Sequence, residues 1–208
     1  MPRHIIDMRS RPAFLAPFYG SQVGTAEFDT ARWLNRRVGS KIDDHFLASQ
    51  TLEGFVREVR AATIARAVVV GRQTPALSIP NDRIAEITVG HTELVGVGSV
   101  DPQTQGIGGA VAEVERAVKT LKLKAINVEP GFGAPALKAD DQLLLPVYDA
   151  CAQLGVPVFV MSGPTTPDPD FNDPAAIGRL ARAFPTLKIV CHHGFWPHVA
   201  EIVGIAFR

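Results

Sequence analysis

The chain has 208 residues, 46% hydrophobic and 20% charged, and its 21 basic and 21 acidic side chains cancel to a formal net charge of zero. Such a composition suits one globular domain over residues 1–208 and excludes a disordered tail or a collagen-like rod. With no basic excess and no block of like charge, neither a general nucleic-acid surface nor an anionic-membrane surface is expected. No apolar run approaches the roughly 18 residues that span a bilayer, and the opening Met1 to Asp7 lacks the basic-then-apolar layout of a signal peptide. Cys151 and Cys191 are too few for a disulfide framework. The expectation is a soluble, reduced, cytoplasmic protein.

In chain order, Ile5 to Ser10 reads as a first strand. Residues 11–50 follow no repeat, holding Pro12, Pro17, Gly20, Gly24 and Gly39 among scattered aromatics, and a loop of that length is expected to be a lid or a subunit contact. Thr51 then precedes an amphipathic helix, Leu52 to Ala62, whose Leu52, Phe55, Val56 and Val59 share a face. From about residue 64 a β-branched run, a turn and a stretch of helical period recur. The predicted strands are Arg66 to Val70, Leu94 to Val100, Leu123 to Val128, Pro157 to Met161 and Leu187 to Cys191, starting roughly 28 to 34 residues apart. Between them Asn81 caps Asp82 to Val89, Gly106 opens a helix to Thr120, Pro146 fits a first turn before Val147 to Leu154, and Asn172 or Asp173 precedes Pro174.

This rhythm of βα units predicts an α/β fold with a parallel sheet, closed as a (β/α)8 TIM-barrel or left open and doubly wound. The glycine fingerprint of the open type follows none of the strands, so the barrel is favoured, with six of eight units visible. A barrel lacking its last two units leaves strand edges unpaired. The expectation is therefore a longer polypeptide or a second chain, hence a homo-oligomer.

In a parallel barrel the loops after the strands carry the chemistry. Alternation from Asp7 sends Arg9 and Arg11 to one side, a pair suited to a carboxylate or phosphate, or else paired with rim acids. Arg72 adds to the positive field. Asn127 and Glu129 share a face, and Glu129 is either a base or the arginines' counter-ion. Asp101 reads as a turn initiator. The run Cys191-His192-His193-Gly194-Phe195-Trp196 is the densest imidazole and aromatic cluster, and one of the two histidines must point inward. Cys191 reads as a small apolar residue.

Taken in order, Asp7-x-Arg9-x-Arg11-Pro12, Ser99-Val100-Asp101-Pro102, Asp141 through Tyr148, Val156 through Gly163, Phe184 through Val190 and His193-Gly194 resemble the amidohydrolase-related family, in the branch of aminocarboxymuconate semialdehyde decarboxylase and related metal-dependent hydrolases and carboxy-lyases. The resemblance implies zinc held by a His-x-His pair on the first strand and a His on the fifth. The matching positions here are Arg9, Arg11 and Met161, whereas the sixth-strand His matches His193. Arginine carries no lone pair for a metal, so no zinc or other cofactor is expected. What remains is a metal-independent hydrolase or carboxy-lyase, comparable with lactonases of the superfamily, in which Arg9, Arg11, Arg72, Asn127 and Trp196 bind a small carboxylic acid. His193 and Glu129 carry the chemistry in that reading. The alternative is an inactive relative that binds a carboxylate metabolite. Register further places His193 at the mouth and His192 away from it.

Overall fold

Apolar runs alternate with amphipathic stretches in the folded chain as they do in the sequence. A computed structural model describes residues 5–16, 20 and 22–207. Met1 to His4, on which the signal-peptide reading partly rests, and Pro17 of the long excursion lie outside the described residues. The first elements are β1 (Ile5–Ser10), α1 (Ala26–Arg37), α2 (Asp44–Ala48), α3 (Leu52–Ala61), β2 (Ile64–Val70), β3 (Arg72–Thr74), β4 (Leu77–Ile79) and α4 (Asn81–Thr88). They are followed by β5 (Leu94–Ser99), α5 (Pro102–Gln105), α6 (Ile107–Lys119), β6 (Ile126–Val128), α7 (Leu145–Leu154), β7 (Val158–Val160), α8 (Pro174–Ala183), β8 (Ile189–Cys191) and α9 (Val199–Ala206). Among the described residues no helix is long and apolar enough to cross a membrane.

The chain divides into two compact units, Met1–Val70 with Arg83–Gly96, and Gly71–Asp82 with Val97–Arg208. In the first, β1 runs parallel to β2, and the Ala67 amide donates to Glu93 O at 2.8 Å where β2 meets the β5 end. The α3 helix starts because the Thr51 hydroxyl accepts from the Gly54 amide, and it buries Phe55, Val56 and Val59. Val69, Val70, Ile84 and Ile87 complete that core. The excursion is more regular than expected: α1 and α2 occupy it, and Phe28 of α1 meets Phe46 of α2 with ring centroids 5.4 Å apart.

The pairing of β1 is irregular. Asp7 pairs with Ala67 and Ser10 with Val69, so three steps on β1 face two on β2. An inserted residue of this kind is a β-bulge, and it breaks the two-residue alternation assumed for Asp7, Arg9 and Arg11. The Ser10 hydroxyl turns back to donate to Asp7 Oδ2 as a result.

In the second unit the order is β5-β6-β7-β8, all parallel, with Ser99 opposite Asn127, Asn127 opposite Phe159 and Phe159 opposite Val190. The strands are shorter than their apolar runs, three residues each for β6, β7 and β8. Val114, Ala117, Ile126, Val128, Val147, Val158 and Leu180 form the core between sheet and helices. Fully buried Tyr148 donates its hydroxyl to Ala139 O at 2.6 Å. The β3-β4 hairpin, antiparallel with Arg72 opposite Ile79, is an element that the apolar pattern does not announce.

Candidate functional site

Three residues singled out in the sequence come into direct contact in the second unit. Asn127 lies within β6 and Glu129 just beyond it, two residues on and therefore on the same face. Arg72 opens β3. Asn127 Nδ2 donates to Glu129 Oε1 at 3.0 Å and to Gly71 O at 3.3 Å. Both partners are pure acceptors, which fixes the amide orientation. The Ser99 hydroxyl donates to Asn127 O at 3.0 Å, tying the end of β5 to the same spot.

Arg72 Nε lies 3.1 Å from Glu129 Oε2, with 11% of the arginine side chain exposed and none of the glutamate. The guanidinium sits 4.7 Å from the centroid of the Phe132 ring, a cation–π arrangement. A charge pair taken this far out of water survives only with good geometry and further hydrogen bonds, and the Asn127 amide is one of these.

Around β7 and β8 the register carries the face of Asn127 on to Phe159 and, two residues later, to Met161. His192 is buried, packs edge-on against Phe159 with centroids 5.2 Å apart, and accepts the Ser162 hydroxyl at its carbonyl at 2.7 Å. His193 is exposed instead and lies over Gly163, where an added Cβ would come within 2.8 Å of the histidine Cβ. Burial thus separates the two histidines, His192 inside and His193 at the surface, without the strand alternation that was assumed for them. β8 ends at Cys191, the next four residues form a tight turn, and His193, Gly194 and Phe195 all have positive φ, so strand alternation no longer applies. Trp196 follows the turn, 53% exposed, and its carbonyl accepts from Asn172 Nδ2 at 3.4 Å.

Arg9 and Arg11 belong to the first unit and are half-buried there. The Arg9 amide donates to Asp7 Oδ1 at 3.0 Å, within the bulge, and Arg11 Nε donates to Val70 O at 3.2 Å. Asp101 caps α5 by accepting from the Gln103 amide. Burial pushes the Cys191 thiol up to about 11 and that of Cys151 up to about 12, so neither is a ready nucleophile. Among the described residues no three His, Cys, Asp or Glu side chains gather as a metal would require.

Phe132, Phe159 and His192 are the site neighbours that sequence reasoning missed. His192 carried a signal in its pairing with His193, whereas Phe132 stands far from Arg72 in sequence and carried none. A separate open cleft is lined by Lys138, Asp170, Asp173, His198 and Glu201. Lys138 is paired with Asp173 and His198 with Glu201, each at 3.0 Å, so its charges largely satisfy one another.

The sequence model of the amidohydrolase family matches residues 48–208. The chain belongs to the amidohydrolase family. Over 99% of its length it superposes on a TIM-barrel protein from Bordetella bronchiseptica, with a TM-score of 0.86, 31% identity and 72% of that chain covered. At 18% identity it also resembles 5-carboxyvanillate decarboxylase from Sphingomonas paucimobilis (TM-score 0.63, 92% of this chain and 68% of that one). The 4-oxalomesaconate hydratase from Rhodopseudomonas palustris is similar at the same identity (TM-score 0.61, 97% and 66%). No curated protein matches the chain. Amidohydrolase-family membership and these superpositions give a (β/α)8 TIM-barrel fold, of which six parallel strands lie in this chain.

Proposed function

We propose that this amidohydrolase-family chain is a hydrolase or carboxy-lyase that acts on a small organic carboxylic acid without zinc. The observation that carries the reading is Arg72, a cation held by Glu129 and backed by Phe132 that keeps part of its surface open. A guanidinium fixed in this way suits a carboxylate, which it can meet with two parallel N–H donors. Two fold neighbours, the decarboxylase of 5-carboxyvanillate and the hydratase of 4-oxalomesaconate, act on carboxylic acids and lend support. Arg9 and Arg11 are proposed as further carboxylate-binding cations, Trp196 as a substrate contact and exposed His193 as the proton-transfer group, whereas Asn127, expected from the sequence to touch the substrate, is fully buried and supports Arg72 from behind.

The donor set does not suit a zinc ion. Arg9, Arg11 and Met161 stand where the resemblance puts nitrogen ligands, and a guanidinium repels a dication while a thioether binds zinc poorly. The role that a metal would have in drawing charge from a carbonyl falls to the arginines in this reading.

Incubation with a panel of aromatic and aliphatic carboxylic acids, followed by mass spectrometry, tests the proposal. Loss of CO2 or addition of water that is abolished by Arg72→Met is expected. Turnover that survives Arg72→Met overturns the assignment. Met161, buried in place of a protonatable group, favours a second reading, in which the chain binds a carboxylate without turning it over. Binding with no mass change is its signature.

A further inference from the structure

Glu129 stands where a general base would be sought, yet its surroundings are those of a support. A group that exchanges a proton with a substrate must come within hydrogen-bond reach of it. The Glu129 side chain has no exposed surface, and the nearby cation that does is Arg72. One glutamate oxygen accepts from Asn127 Nδ2 at 3.0 Å, and the other lies 3.1 Å from Arg72 Nε.

These contacts close a ring. Asn127 Nδ2 also donates to Gly71 O, the carbonyl immediately before Arg72, so the backbone and the side chain of the arginine are both tied to the β6 segment. Phe132 closes one face of the guanidinium. Ser99 anchors Asn127 from the neighbouring strand. Ser99, Asn127 and Glu129 are buried, at 3%, 0% and 5% relative exposure, while Arg72 and Phe132 are half-buried.

We propose that Glu129 is a positioning residue, which with Asn127 fixes Arg72 as the group that meets the carboxylate of the substrate. The inference rests on the proposed function for the nature of the ligand, but the positioning itself does not. A carboxylate that only neutralised Arg72 would compete with the ligand, and its removal would tighten anion binding. A carboxylate that aims Arg72 has the opposite effect, because a cation free to swing must be ordered again at each binding event.

Malonate, titrated into the full chain and followed by NMR, is the probe. Glu129→Gln is expected to weaken malonate binding by about tenfold, and Glu129→Asp, which keeps the charge but shortens the reach, by a similar factor. Tighter binding by Glu129→Gln together with unchanged binding by Glu129→Asp overturns the proposal in favour of simple neutralisation. A second readout needs no ligand. The Arg72 Nε–H resonance, identified by its loss in Arg72→Lys, is expected to exchange slowly with water in the wild type and about tenfold faster in either Glu129 variant. An exchange rate unchanged in both overturns the positioning role even if malonate does not bind. Should Glu129→Gln fail to fold, Glu129→Asp carries both measurements. If Arg72→Met binds malonate as the wild type does, the functional reading fails while the exchange data still decide the role of Glu129.

Discussion

Arg9 and Arg11 differ in what already holds them: Arg11 gives one donor to the Val70 carbonyl, while Arg9 sits in the bulge of β1. If each makes a charge-assisted contact to a ligand, Arg9→Met and Arg11→Met should each weaken binding of small di- and tricarboxylates by about 2 kcal/mol. Calorimetry that returns wild-type affinity for either variant would make that arginine structural. Tyr148 is a cleaner test of packing. Burial holds its hydroxyl proton far above the ordinary tyrosine range, so it remains a donor to Ala139 O at any working pH. Tyr148→Phe leaves that buried acceptor without this donor and should cost about 1 to 2 kcal/mol in urea unfolding, equally at neutral and mildly alkaline pH. At this scale the sequence was partly legible. Arg72, Asn127 and Glu129 stood out as polar groups at strand ends, where a barrel puts its chemistry. The contact of Arg72 with Phe132 did not, because it depends on where a loop lands and not on any local spacing.

Helix ends were the most readable elements, since a cap is a local chemical event. Thr51 and Asp173 both accept from amides in the first turn, and Gly155 takes the left-handed conformation that stops α7. Asp173 adds a pH dependence. Desolvation, the largest single influence, raises its pKa, but Lys138, the Ala175 amide and Arg179 together hold it below the ordinary 3.8. A carboxyl depressed in the folded state stabilises fully above its unfolded pKa and loses that contribution as pH falls through the folded value. Asp173→Ala should therefore cost about 1 kcal/mol near neutrality, and the gap in melting temperature from wild type should close on acidification below 3.8. A gap that persists in strong acid would show that the side chain acts by packing. The β3-β4 hairpin was invisible because Arg72, Gln73, Thr74 and Ser78 give no apolar run, and the β1 bulge because an inserted residue looks like any other until its partner strand is known.

For the whole molecule, the βα rhythm was legible from about residue 64 onward, because parallel strands between amphipathic helices leave a periodic trace in the sequence, whereas the excursion after β1 leaves none. Metal content is a property at the same scale. Purified protein is expected to hold far less than one zinc per chain, given the donors at Arg9, Arg11 and Met161, and elemental analysis that finds a stoichiometric ion would reject the metal-free proposal. Association is another such property: Ile6 and Met8 of β1 are 53% and 46% exposed, and apolar side chains on an edge strand favour pairing, so light scattering should report an oligomer. The turn after β8 bears on the stability of the entire chain. His193 and Phe195 have φ of 52° and 54°, a region that costs a residue with a β-carbon about 1 kcal/mol relative to glycine. Phe195 recovers this through nearly complete burial, whereas His193 is exposed and recovers little in that way. His193→Gly should then raise the melting temperature by about 2 to 4 °C. A gain in robustness on His193→Gly would be the thermodynamic mark of a stability–activity trade, in keeping with the role proposed for the imidazole.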